Sequence, residues 1–121
     1  MIKIKVSGVD NAIKHLKSKK NQVDDKAEAG INKATFYVQG QVKESIARGV
    51  NAPVAVDTGR FLNSVDIATQ KDVGYVFSDI NYAKFIEYGT TRMHARPHFR
   101  NTAAKEKHKV QEIIQSEVKD I

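Results

Sequence analysis

The sequence predicts an α+β domain in which a small antiparallel sheet packs with a long N-terminal helix and a C-terminal helix. Three observations carry this. Ile2, Ile4 and Val6 alternate with Lys3 and Lys5, which is the period of a strand. Val23, Ala27, Ile31, Ala34, Val38, Val42 and Ile46 recur at intervals of three or four, which is the period of a helix. After Pro97 a second helical spacing runs through Phe99, Ala103, Val110, Ile113, Ile114, Val118 and Ile121.

Taken in order, the first strand is expected at a sheet edge, with its lysines facing solvent, and Ser7-Gly8 ends it. Asp10 can then cap a helix lined by Val9, Ala12, Ile13 and Leu16. The long helix follows and ends near Gly49. Ala27, Gly30 and Ala34 make its apolar stripe small-sided, so another backbone can approach. Gly30 and Gly40 each cost about 1 kcal/mol relative to alanine in a helix, so packing against both is expected. Some 25 helical residues span about 40 Å, more than this domain's own core requires. Part of the stripe is therefore expected to face a neighbouring subunit.

Residues 51–56 read as a loop around Pro53. A strand over 64–69, with Val65 and Ile67 on one face, and a strand over 73–78, with Val73, Tyr75 and Phe77 on one face, flank a polar turn at Gln70-Lys71-Asp72. Tyr82–Tyr88 makes two helical turns with Tyr82, Phe85 and Ile86 inward, and Gly89 stops it. Residues 89–95 form a loop, and Pro97 starts one last helix, where its missing N–H costs nothing. No linker or repeat divides residues 1–121, so the chain reads as a single domain.

Composition narrows the function. The 121 residues are 40% apolar and 28% charged, enough for one modest core. No apolar run approaches the ~18 residues of a membrane span, and the lysine-rich start lacks the apolar stretch of a secretory signal. The absence of cysteine excludes disulfide scaffolds, thiolate metal sites and cysteine nucleophiles. The net charge of +6 is concentrated in residues 1–20 and 91–109, each carrying six basic side chains against one acidic. Two basic surfaces thus flank a mildly acidic middle, and polyanions or acidic protein faces are the partners such surfaces attract.

Four constellations invite chemistry. Asp57-Thr58-Gly59 after Val54-Ala55-Val56 imitates the loop of retroviral-type aspartic proteases, in which two carboxylates share a proton. That fold is almost wholly β, whereas helical periodicity dominates here, and Arg60 stands where a small residue belongs. Asp57 is better read as a turn cap with Arg60 as counter-ion. His94 and His98 have the spacing of a metal pair, but Pro97 separates them and no third ligand follows. Arg92, Arg96, Arg100, Lys105, Lys107 and Lys109, interleaved with Tyr88, His94, His98 and Phe99, offer phosphate contacts without a recognised nucleic-acid signature. Glu87, among Tyr82, Phe85 and Tyr88, reads as an ion-paired structural carboxylate.

Three ordered motifs remain: Asp57-Thr58-Gly59-Arg60-Phe61 with Ser64, then Tyr82-Ala83-x-x-Ile86-Glu87-Tyr88-Gly89-Thr90, then Met93-x-Ala95-Arg96-Pro97 with Phe99. Together they resemble the neck, or head–tail joining and tail-completion, proteins of long-tailed double-stranded DNA phages and prophages, a family of tail components. Two departures stand out: His98 takes the aromatic place after Arg-Pro, and Asn101 or Thr102 replaces a proline common in the family.

The resemblance implies a structural virion protein without catalysis or cofactor, assembled in the host bacterial cytoplasm. It implies a ring, of six copies, at the head–tail junction, joining the DNA-filled capsid to the tail and lining the channel. Head-completion or connector proteins and tail-terminator or tail-tube proteins would be its neighbours. Genomic duplex DNA would make at most weak contact, through Arg92, Arg96, Arg100 and Lys105. Under this reading Tyr82, Phe85 and Tyr88 are packing anchors. Arg96 is a candidate partner for Glu87 or Asp57, within the subunit or across a seam. The competing reading is a sequence-independent nucleic-acid-binding module.

Overall fold

The computed structural model describes residues 2–8, 20–52 and 59–119. The expected helix from Asp10, the loop around Pro53, the Asp57-Thr58 pair, Ile121 and the side chain of Val23 lie outside the described residues. Strand β1 (Ile2–Val6) is followed by α1 (Lys20–Arg48), α2 (Arg60–Ser64), β2 (Asp66–Thr69), β3 (Gly74–Ser78), α3 (Ala83–Tyr88), α4 (His98–Lys105) and α5 (Lys107–Lys119). The three strands form one antiparallel sheet in the order β1-β3-β2, so β1 is an edge, as its lysines predict. The helices pack on one face of that sheet, which makes this an α+β fold.

Register explains which face is covered. Ile2, Ile4 and Val6 lie opposite Ser78, Val76 and Gly74, and all six are buried. The inward face of β3 is therefore Gly74-Val76-Ser78; Tyr75 and Phe77 share the other face, as their alternation predicts, and are half-buried there with Lys3 over the Tyr75 ring at 5.0 Å. The reason is steric. A Cβ at Gly74 would lie 1.9 Å from Thr35 Oγ1, so α1 crosses the sheet too closely for large side chains there. The second expected strand is also shorter. Ser64 closes α2, where its hydroxyl donates to Phe61 O at 2.6 Å, and buried Val65 precedes β2.

In α1, Ala27, Ile31, Ala34, Val38, Val42 and Ile46 are all buried against this chain's own sheet and helices. From Ala27 to Ile46 the stripe is used up internally, contrary to the expectation that part of it faces a neighbour. Its small positions admit α5: a Cβ at Gly30 would lie 3.2 Å from the Ile114 Cα. Gly40 differs, because nothing lies within 4 Å of a Cβ placed there.

The expected single C-terminal helix is two, broken at Glu106. Its carboxylate is buried and accepts a hydrogen bond from Tyr37 Oη at 2.7 Å, tying the kink to α1. Burial first, then the Glu106 hydrogen bond and the charges of Glu106 and Glu44, push the Tyr37 phenol from 10.0 up to about 12. Between pH 10 and 12 the unfolded chain loses this proton while the folded chain keeps it, so stability falls as pH rises through that window. Tyr37→Phe should start about 1 kcal/mol less stable, having lost the bond, and should lack this part of the alkaline decline. Urea midpoints at pH 8 to 12 test this; parallel curves for the two proteins would count against it.

Candidate functional site

The described parts of the three sequence motifs converge where α2, α3 and the start of α4 meet. Phe61, on the first turn of α2, is buried with its ring centroid 6.3 Å from that of Phe99 in α4. Gly59, with φ of 76°, leads into α2, and Arg60 stands over the half-buried Tyr82 ring at 5.7 Å. Ser64 Oγ lies 2.7 Å from Ser78 Oγ, fastening the end of α2 to the central strand.

The junction between α3 and α4 is held by reciprocal contacts. Pro97 occupies the N-cap of α4 and has no side-chain oxygen to offer its free amides. Glu87 supplies them from outside: Oε1 accepts from Phe99 N–H at 3.0 Å and Oε2 from Arg100 N–H at 2.9 Å. A carboxylate at these positions performs the work of an N-cap and meets the positive end of the helix dipole. In return, Arg100 reaches back, with Nε donating to Glu87 Oε2 at 3.1 Å and Nη2 to the Glu87 carbonyl at 2.8 Å. Arg96 N–H donates to Ile86 O at 2.7 Å. Both ends of the junction thereby have their backbone groups satisfied.

Glu87 is thus the structural, ion-paired carboxylate that the sequence suggests, but its side-chain partner is Arg100 rather than Arg96. Arg96 precedes the helix, and its Nη2 lies 3.3 Å from Met93 Sδ. The first turn of α4 points its amides and its arginine at the same carboxylate, a coincidence that residue spacing alone does not reveal.

The loop after α3 is tight. Thr90 and Met93 form a β-bridge, with Thr90 N–H donating to Met93 O at 2.8 Å, and Arg92 N–H donating to Thr90 Oγ1 at 3.2 Å. Gly89 enters this loop at φ 78°, ψ 179°, a conformation that other residues rarely adopt.

The two departures from the family pattern are built into the fold. His98 is fully buried with Nδ1 2.7 Å from Ser45 Oγ, so the imidazole fills an aromatic position while bonding α1. Asn51 Nδ2 donates to Thr102 Oγ1 at 2.8 Å, and Asn101 Nδ2 donates to Asn51 O at 2.7 Å. The end of α1 is so fastened to α4 by polar side chains. His94 is exposed in the loop, whereas His98 is committed to Ser45.

What remains outward is specific. Within α3, Ala83, Ile86 and Glu87 are buried, while Phe85 is 45% and Tyr88 63% exposed. The expectation that Phe85 points inward is therefore overturned. The six-residue helix places Ala83, Ile86 and Glu87 on its inner side, and Phe85 falls between them on the outer side. Lys84 Nζ lies 5.3 Å from the Phe85 centroid and the Arg100 guanidinium 4.7 Å from that of Tyr88. Arg92 and Lys105 are exposed, and Pro97 is half-buried. The result is a rigid ledge of two aromatic rings edged by cations.

A family model described as "Bacteriophage HK97-gp10, putative tail-component" matches residues 10–89, 80 of the 121 positions. No curated protein and no solved structure matches the chain. Among the described residues no helix is long and apolar enough to cross a membrane. The chain belongs to the HK97-gp10-like family of phage tail components.

Proposed function

We propose that this tail component is a structural virion protein acting at the head–tail junction, where copies assemble as a ring of six that joins the DNA-filled capsid to the tail. It works by self-assembly and docking, without catalysis. The carrying observation is the pair Phe85 and Tyr88, held outward on a helix whose inner side is buried and whose C-terminal end is fixed by the Glu87–Arg100 contacts. Exposed aromatics on a rigid support are what interface hot spots require, because little entropy is lost when a partner covers them. A closed ring also needs two different faces meeting head to tail. The aromatic ledge supplies one, and a head-completion, connector, tail-terminator or tail-tube protein supplies the next surface along the axis.

Contact with the passing genome is a secondary role of the same edge. Arg100 is already matched by Glu87 and Arg96 is engaged at Met93, so Arg92 and Lys105 are the cations presented to phosphates. Scattered weak contacts suit a channel, since tight binding would slow DNA ejection.

Phe85→Ala/Tyr88→Ala should abolish most joining. Losing two anchors weakens a contact by about 100-fold or more. Electron micrographs of lysates carrying only this variant should show filled heads and complete tails lying apart, and infectious titre should fall accordingly. The purified variant should melt at nearly the native temperature, because neither side chain belongs to the buried core. Normal particles from the double variant would defeat the assignment.

A further inference from the structure

The outward face of α1 carries two features that this chain's own fold does not explain. Phe36 is 70% exposed, more than any other large apolar side chain among the described residues. Gly40, one turn further on, is exposed in the middle of a 29-residue helix, with nothing within 4 Å of a Cβ placed there. Glycine is the poorest helix former after proline, and no neighbour among the described residues requires it at this position. Residues four apart share a helix face, so a projecting ring and a gap lie side by side.

We propose that this face is a self-association surface, on which α1 of a second copy packs antiparallel, seating each Phe36 over the Gly40 of the other. The pattern around the pair selects this occupant and this direction. When the helices run antiparallel with Phe36 opposite Gly40, Ala29 falls opposite Ala47, so small residues meet where the backbones converge. Ala29 and Ala47 are 18 positions apart, five full turns, and share the central line of the face. On one flank of the same register, Lys33 of each copy stands beside Glu44 of the other.

Lys33 already bonds Glu117, and Glu44 lies 4.0 Å from Arg48, so the cross-copy pairs join these into chains of alternating charge. Exposed ion pairs add little affinity, but they set direction. In-register parallel helices would instead set Phe36 on Phe36, Lys33 on Lys33 and Glu44 on Glu44. A two-fold contact of this kind is complete in itself and cannot close a six-membered ring. It pairs subunits or rings, and it stands independently of the joining role.

The native chain contains no cysteine, so introduced thiols report alone. Ala29→Cys and Ala47→Cys variants of the full chain, one carrying a size tag, are mixed and mildly oxidised. The expected product is the mixed 29–47 disulfide, in large excess over either homodimer. A dominant 29–29 product, or no cross-linked product, would overturn the proposal. Gly40→Gln fills the gap with a good helix former. It should raise the dimer dissociation constant by about tenfold or more in sedimentation while leaving the melting temperature unchanged or higher. Native self-association in the Gly40→Gln variant would also overturn it. Failed head–tail joining by Phe85→Ala/Tyr88→Ala with this dimer intact would bear on the ledge alone.

Discussion

Replacing Glu87 with alanine is expected to destabilise the chain by about 3 kcal/mol and to lower its melting temperature by roughly 10 °C. The carboxylate is 1% exposed, and two first-turn amides of α4 depend on it. Its removal leaves Phe99 N–H without an acceptor beside the buried Phe61 ring, and buried unsatisfied donors are what make such substitutions costly. Arg100→Ala should cost far less, about 1 kcal/mol or below. Its side chain is 50% exposed, so solvent screens its attraction to Glu87, and the two amides keep their acceptor without it. Glu87→Gln should fall between these, since an amide oxygen can accept one bond but carries no charge toward the helix dipole. Thermal unfolding of the three variants ranks the contributions. Equal losses from Glu87→Ala and Arg100→Ala would mean that the ion pair, and not the capping of α4, holds the junction.

Much of this architecture follows from periodicity. The spacing from Ala27 to Ile46 specified a long helix with a buried stripe, and Ile2-Ile4-Val6 specified an edge strand, because each pattern fits one secondary structure. β3 leaves its inward face open because both its faces carry apolar residues, so alternation alone cannot choose between them. The choice is made by the crossing of α1 over Gly74, a tertiary contact with no local signature. α3 misleads for a related reason: six residues are too few for a moment, and the buried glutamate displaces an aromatic from the inside. The break at Glu106 is hidden because apolar spacing continues across it. The Tyr37 hydrogen bond that accompanies it spans 69 positions of sequence. The motifs marked residues that lie around one junction, and the contacts separate those buried in it from those exposed on it.

Gly89→Ala is expected to cost about 4 kcal/mol and roughly 15 °C in melting temperature. Two effects combine. The φ of 78° with ψ of 179° is a conformation that alanine adopts only under strain. The new Cβ would also sit 2.7 Å from Ala95 N and 2.8 Å from Met93 O, which are backbone atoms with no rotamer to escape through. Relief requires moving the 93–95 segment, and that movement pulls on the Thr90–Met93 bridge and on the Arg96 N–H bond to Ile86 O. The ledge itself should then loosen, so this variant should lose joining activity even though Phe85 and Tyr88 are both present. Gly40→Ala is the matching control. The same methyl group meets nothing within 4 Å there and removes a poor helix former, so stability should rise by up to about 1 kcal/mol. Opposite signs from one chemical change at two glycines would show that geometry at position 89, and not glycine content, fixes the ledge. A Gly89→Ala protein that melts within a few degrees of the native one would show that the loop yields, and that the aromatic pair is not rigidly presented.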